Sequence, residues 1–421
     1  MKSYNNIERS LALMLSKFPR VKMFLKKVYQ LINSFLYRKT YSEWTKYLLE
    51  EINIDNKETF FGYYDKSPIN ESNHFIIFHS TNIKTKNKPT PNPINIVLYD
   101  CTEKEILTKL TSNAYNWQQG SKLQWINKNK FIFNDYNRKT NKYCARIIDI
   151  NEPDSEQAID FPIYDVHSDF ALSLNFDRLN LLRPDYGYRN RCVNYKDLSN
   201  YDDGIFYIEL ENNTSRLIIS IDEVINLHFK ENMKNAKHWF NHIMISPNGD
   251  KFMFLHRWLV GNRKFDSLIV SDIDGANVSV LADDDMVSHC SWYGNNKIIS
   301  YMRDMVLGDK YFLIDLGLKT KTILGKGVLD KFGDGHPSVI NDLLLFDTYP
   351  NKARMKELFL FYMRENRLVE VGEFYESMKF SGETRCDLHP RFSNCGSYIF
   401  IDSVHSGKRK LYRISLDKVI K

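Results

Sequence analysis

Four histidines in the second half of the chain recur with a near-constant step: His242, His289, His336 and His389 lie 47, 47 and 53 residues apart. Each opens a similar phrase: HIMISPNGDKFMFL, HCSWYGNNKIISY, HPSVINDLLLFD and HPRFSNCGSYIFID. Neutral imidazole is the commonest ligand for zinc, manganese or iron, and three or four converging imidazoles make a metal site. Asp334 or Asp387 would add an oxygen ligand. The cofactor implied is one divalent metal, with zinc, manganese and calcium all open. The competing reading is structural: a repeated histidine that caps the first strand of each repeat and bonds to its neighbour.

A second group of polar and aromatic residues fills the first half, in FFGYYDKSP (60–68), NWQQGSKLQW (116–125), FNDYN (133–137), IYDVHSDFALSLNFDRL (163–179) and RPDYGY (183–188). Tyr64 and Asp65 fall where later repeats carry their histidine, and Trp117, Gln118 and Gln119 hold the same place in the next repeat. Tyr164 and His167 begin the third, and Arg178 follows its apolar run ALSLNF. With Asn134 and Arg385, this set suits a polyhydroxylated anion. Arginine grips a carboxylate or sulfate through a fork of hydrogen bonds, amides meet sugar hydroxyls, and aromatic rings offer a stacking face. Any one of these residues taken alone is as readily a packing residue.

These residues can act together only if distant segments converge. A period of about 40–50 residues carrying about four strands is the signature of a β-propeller blade. The all-β reading divides the chain into blades near 56–113, 114–161, 162–230, 236–284, 286–328, 331–382 and 383–416. That makes a seven-bladed β-propeller, with six blades also open. Turn signals SPNGDK, SNCGSY and ESNH separate the strands. The insertion RPDYGYRNRCVNYKDLSNYDD lengthens the third blade and is expected as a loop over one face of the disk. The last blade shows three strands, and the segment near YLLEEINI is expected to supply the fourth and close the ring.

Residues 1–50 form a separate N-terminal segment and 51–421 the propeller. Phe24, Leu25, Val28, Leu31, Ile32, Phe35 and Leu36 keep a helical period, and between Lys17 and Lys39 there are seven basic residues and no acid. A basic amphipathic helix suits peripheral contact of residues 17–39 with an anionic membrane. It equally suits docking on the side of the propeller. The 421 residues are 43% hydrophobic and 26% charged, ordinary for a globular protein, while the 14% aromatic content favours strands. A net charge of +6 without a concentrated basic face elsewhere argues against a nucleic-acid partner. Six cysteines without a CxxC pair read as free thiols in a reducing compartment. No secretion signal and no membrane-spanning apolar run is legible. The expected location is cytoplasmic, with peripheral contact at the inner membrane face.

The phrases GYYDKSP, NWQQGSKLQW, ALSLNFDRLNLLRPDYGY and RCDLHPRFSNCGSYIFIDSVHSGKRKLY resemble bacterial seven-bladed propeller proteins related to ulvan lyases and, more distantly, the oligogalacturonate lyases. The resemblance spans roughly residues 57–416 and leaves out the helix. It implies removal of the proton α to a uronate carboxylate and expulsion of the 4-linked sugar, with a tyrosine as acid or base and an arginine holding the carboxylate. Tyr164 and Arg178 fall on those positions. Where the family uses two histidines this chain has Gln119 and Asn134 or Asp135, and His167 is the nearby substitute. Three functions follow as expectations. The first is polysaccharide lyase-like β-elimination on acidic polysaccharide or oligosaccharide. The second is a membrane-face role in surface-polysaccharide assembly, by glycosyl transfer or glycan trimming. The third is a non-catalytic propeller that binds glycan or protein.

Overall fold

Strands that lie between two neighbouring sheets are covered on both faces. Phe75–Thr81 and Lys251–Val260 are accordingly buried along most of their length. The outermost strand of a blade has one wet face, and Glu105–Ser112 exposes every second residue. The computed structural model, which describes residues 19–419, arranges the strands as seven antiparallel sheets. The body is a seven-bladed β-propeller, and each expected blade corresponds to one sheet. From the first blade to the seventh, the sheets start at residues 58, 124, 165, 237, 287, 338 and 391.

The seventh blade is completed by Tyr47–Ile52, which pairs antiparallel with Lys410–Val419, Ile52 standing opposite Leu411. The ring closes as the sequence suggests. A feature not expected is the short strand Glu43–Thr45, which adds a fifth strand to the rim of the sixth blade opposite Gly372–Phe374. The segment 43–52 thus borders two blades, and the sequence division at 50/51 falls inside the closing strand.

Pro19–Leu36 is a helix, with proline at its first position where a missing N–H costs nothing. Its apolar stripe faces outward. Phe24 is 66% exposed, Leu31 56% and Phe35 81%, while Asn33 on the opposite side is buried. The helix does not dock on the propeller through its apolar face. The chain beyond it is tied down by Lys39 and Tyr41, both bonded to Glu373 of the sixth blade.

The third-blade insertion, which starts at Arg183, is preceded by a helix, Phe176–Leu182. The Asn175 side chain caps it by accepting from the N–H groups of Asp177 and Arg178 at 3.0 and 3.1 Å. The loop that follows crosses the mouth of the ring. Tyr186 packs against Tyr63 and His242, with ring centroids 5.9 and 5.8 Å apart.

Candidate functional site

Each of the four repeated histidines stands in, or just before, the innermost strand of its blade, so four successive blades aim them at the axis. Bulges do the final steering. The register slips between Asn241 and Met244 and again between Val287 and Cys290, and His242 and His389 adopt φ of 54° and 43°. A bulge turns one side chain out of the alternation and is a frequent device beside functional sites. The rings form one chain of contacts: His242 to His289 at 5.5 Å, His289 to His336 at 4.2 Å and His336 to His389 at 4.4 Å between centroids. All four are buried.

Tyr63 stands at the centre of this arc, with its ring near all four imidazoles. Its hydroxyl lies 2.8 Å from Nδ1 of His242. Tyr64 packs beside it and donates to the Cys290 carbonyl at 2.9 Å. Strand alternation would send only one of two adjacent tyrosines inward. Gly62, at φ 123°, breaks the alternation, and a Cβ there would meet the Gln119 backbone at 2.9 Å. Tyr63 lies in the phrase FFGYYDKSP, but strand alternation does not pick it out beside Tyr64.

Hydrogen bonds fix the imidazole tautomers. His336 Nδ1–H donates to Asp347 at 2.8 Å, and His389 Nδ1–H donates to the Gly62 carbonyl at 2.7 Å. In the neutral imidazoles that leaves the lone pair of each Nε2 free, and neither Nε2 has a partner although both are buried. Asp387 completes a group whose ligand atoms all lie within 4.8 Å of one another. Asp347 accepts from the backbone N–H groups of both His336 and His389, at 2.8 and 3.3 Å. One carboxylate thus orients both ligands, as the outer partners of metal-bound histidines do. Among the described residues, His336, Asp387 and His389 fit a divalent cation. His289 flanks them with Nδ1 3.1 Å from Asp334, and His242 bonds to Tyr63.

Burial sets the protonation of the cluster. It pushes His242 well below the ordinary histidine range, helped by Arg257, His289, Arg183 and Lys264, and does the same to His389 with help from His336. His289 is lowered by burial despite Asp334. Burial also opposes a charge on His336, but Asp347 outweighs it and raises that residue. Burial would raise Asp387, yet Arg385, Lys356 and the two histidines hold it well below the carboxylate range. Burial raises the phenols of Tyr63 and Tyr64 well above theirs. Beyond Tyr64 the axis widens into a cavity of about 260 Å³, lined in part by Lys66, Met244, Trp292 and Val339.

The remaining sequence-selected residues divide between the axis and the scaffold. Tyr164 reaches the cluster from behind: its hydroxyl accepts from the His242 backbone N–H and from Gln119 Nε2, both at 3.0 Å. Asp65 faces Lys122 at 3.6 Å near the axis, and Lys122 lies 4.0 Å over the Tyr164 ring. Arg178 is not brought to the histidines. It is spent on Asp203 at 2.6 Å, Asn200 at 3.1 Å and the carbonyls of Ser199 and His238, so it fastens the insertion to its blade. His167 lies elsewhere too, beside the Pro247 carbonyl at 3.2 Å. Trp117 donates to the Asn87 carbonyl and packs in a rim cluster with Phe60. Asn134 bridges blades two and three through Ile163 and Tyr188. Gln118 holds the carbonyls of Glu383 and Arg385. Arg385 itself is at the mouth, 2.7 Å from Asp387.

No family model matches the chain, and no curated protein matches it. Among solved structures, an oligogalacturonate lyase in complex with manganese is similar over 90% of this chain and 96% of its own, with a TM-score of 0.60 at 14% identity. An oligogalacturonate lyase from Vibrio parahaemolyticus is similar over 90% and 97%, with a TM-score of 0.57 at 11% identity. At that identity the likeness establishes the architecture alone: this chain shares the seven-bladed propeller fold of those two structures.

Proposed function

We propose that the protein is a polysaccharide lyase-like enzyme that cleaves acidic oligosaccharides by β-elimination, with a divalent cation held by His336, Asp387 and His389. The observation that carries this reading is the pair of buried, unpartnered Nε2 atoms beside Asp387, set among proton-transfer groups on the propeller axis. A cation there would supply Lewis acidity against the charge that develops on a uronate carboxylate. One of the two similar lyases holds manganese, which supports that metal as the first to try. His242, neutral and bonded to Tyr63, is placed to accept the proton from C5, with electrons moving to form the 4,5 double bond as the 4-linked oxygen leaves. The protonated phenol of Tyr63 is the matching acid. Tyr164 acts through His242 by holding its backbone. The phrases that resemble ulvan lyase relatives support uronate polymers as the substrate class.

Incubation with polygalacturonate, alginate and ulvan in the presence of manganese is expected to release an unsaturated uronate, read by its ultraviolet absorbance. His242→Gln should reduce kcat by about 10²–10⁴-fold. No absorbance change on any uronate polymer would overturn the reading.

The outward apolar face of the N-terminal helix supports a second element, action at an anionic membrane surface and hence in surface-polysaccharide assembly. Phe24, Leu31 and Phe35 would enter the headgroup boundary, while exposed Lys26, Lys27 and Arg38 meet anionic lipid at about 1 kcal/mol each. The full chain is expected to sediment with phosphatidylglycerol vesicles and not with phosphatidylcholine vesicles, and Leu31→Glu with Phe35→Glu should abolish this. Equal sedimentation of that variant would remove the membrane from the proposal.

A further inference from the structure

Two arginines from opposite sides of the mouth close on one carboxylate. Arg183, in the third-blade insertion, donates through Nε and Nη2 to the two oxygens of Asp185, each at 3.1 Å. Arg385, in the connector between blades six and seven, donates from Nη1 to the same Asp185 at 2.9 Å. Tyr186 lies under both guanidinium groups, at 4.9 and 5.9 Å from its ring centroid, and its hydroxyl accepts from Arg385 Nη2 at 3.2 Å. Forked guanidinium bonds against an aromatic floor are how proteins seize the carboxylate of an acidic sugar. The place is partly open to solvent: the Arg183, Arg385 and Asp185 side chains are 26%, 21% and 13% exposed. It also adjoins the cation ligands, since Arg385 Nε donates to Asp387 at 2.7 Å.

The arrangement is repeated once along the same mouth. Glu383 is held by Arg189 of the insertion and by Lys88 of the first blade, the latter at 3.0 Å. In both places the cations that an acidic polymer would need are already occupied by a carboxylate of the chain. In both, that contact also ties the insertion across the ring.

We propose that Arg183 and Arg385 form the seat for a uronate carboxylate, and that Asp185 is its resident occupant, displaced when an acidic sugar binds. This rests on the acidic-sugar reading above and adds the anchoring residues and an internal competitor. The exchange is carboxylate for carboxylate, so the charge at the seat is unchanged. The insertion loses its Asp185 contact with Arg385 at the moment the substrate arrives, which couples recognition to loosening of the loop whose Tyr186 covers Tyr63 and His242. An internal occupant reduces apparent affinity by the fraction of molecules with the seat free.

The test is calorimetric binding of digalacturonate to the full chain in EDTA, with no cation and no turnover. Asp185→Asn is expected to tighten binding about tenfold, as removal of an occupant that fills roughly nine seats in ten requires. Arg183→Gln and Arg385→Gln should each abolish binding, and the dimethyl ester of the same disaccharide should not bind the parent. Unchanged or weaker binding by Asp185→Asn, in protein whose melting temperature matches the parent, would overturn the proposal, as would equal binding of the ester. Because no product is formed, this result is independent of the absorbance assay: catalysis can fail while the seat stands, and the seat can fail while catalysis stands.

Discussion

The double variant His336→Ala/His389→Ala is expected to carry no stoichiometric divalent ion after dialysis against manganese, whereas the parent carries one per chain. The two free Nε2 atoms are the reason: they are buried, they lack protein partners, and their rings are held by Asp347 and by the Gly62 carbonyl. A buried polar atom without a partner costs about 1–3 kcal/mol, which cation binding would recover. Asp347→Asn is the finer test. It leaves every ligand in place and removes the negative charge behind His336, so affinity should fall by about 10–100-fold. Manganese at a hundred times its dissociation constant should stabilise the parent by about 2.7 kcal/mol and leave the double variant's melting temperature unmoved. A parent protein free of metal in emission spectroscopy, with no thermal response to manganese, zinc or calcium, would remove the cation from the site.

Asp402→Ala is expected to cost about 3–5 kcal/mol of folding stability, the largest single-residue effect outside the cluster. Asp402 and Arg391 are each 1% exposed and form an ion pair at 2.9 Å within the seventh blade. Asp402 also accepts the backbone N–H groups of Phe61 and Gly62 in the first blade, at 3.0 and 2.9 Å. Arg391 in turn donates to the His389 carbonyl at 2.7 Å. Removing the carboxylate therefore strands a buried guanidinium and two amides at the seam where the ring closes. Replacing both partners, as Arg391→Met/Asp402→Leu, removes the stranded charge and should cost less than Asp402→Ala, the remaining penalty being about 1–3 kcal/mol for each of the two orphaned amides. Urea denaturation distinguishes the two: a double variant as unstable as Asp402→Ala would mean that the pair's charge is not what holds the seam. The same variants should displace Tyr63 and His389, since both flank the stitched backbone.

The ring and its axial cluster were legible because both follow from repetition. Steps of 47, 47 and 53 residues carry each histidine to the same station in the next blade, and the strand order follows from the repeat. The closing strand was legible because a three-stranded last blade needs an apolar partner, and YLLEEI lay unused near the other end of the chain. What pattern could not give is direction. Arg178 and Asn134 are polar residues beside apolar runs, and both turn into the seams between elements and are satisfied there, away from the axis. His167 follows Tyr164 by three residues, but its ring faces the turn of the next blade. Tyr63 turns inward only because Gly62 breaks the strand, and Asp347 reaches two histidines from a strand second from the axis. These outcomes depend on bulges and rotamers, which no hydrophobic period encodes.

The short tether between Leu36 and Glu43 sets how the disk can stand on a bilayer. Seven residue steps reach about 25 Å at full stretch, and the salt link from Lys39 to Glu373 takes up part of that slack. The tether joins the perimeter of the sixth blade, not the hub. A lipid-bound helix would therefore keep the rim of the sixth blade, and not the hub, within about 25 Å of the bilayer.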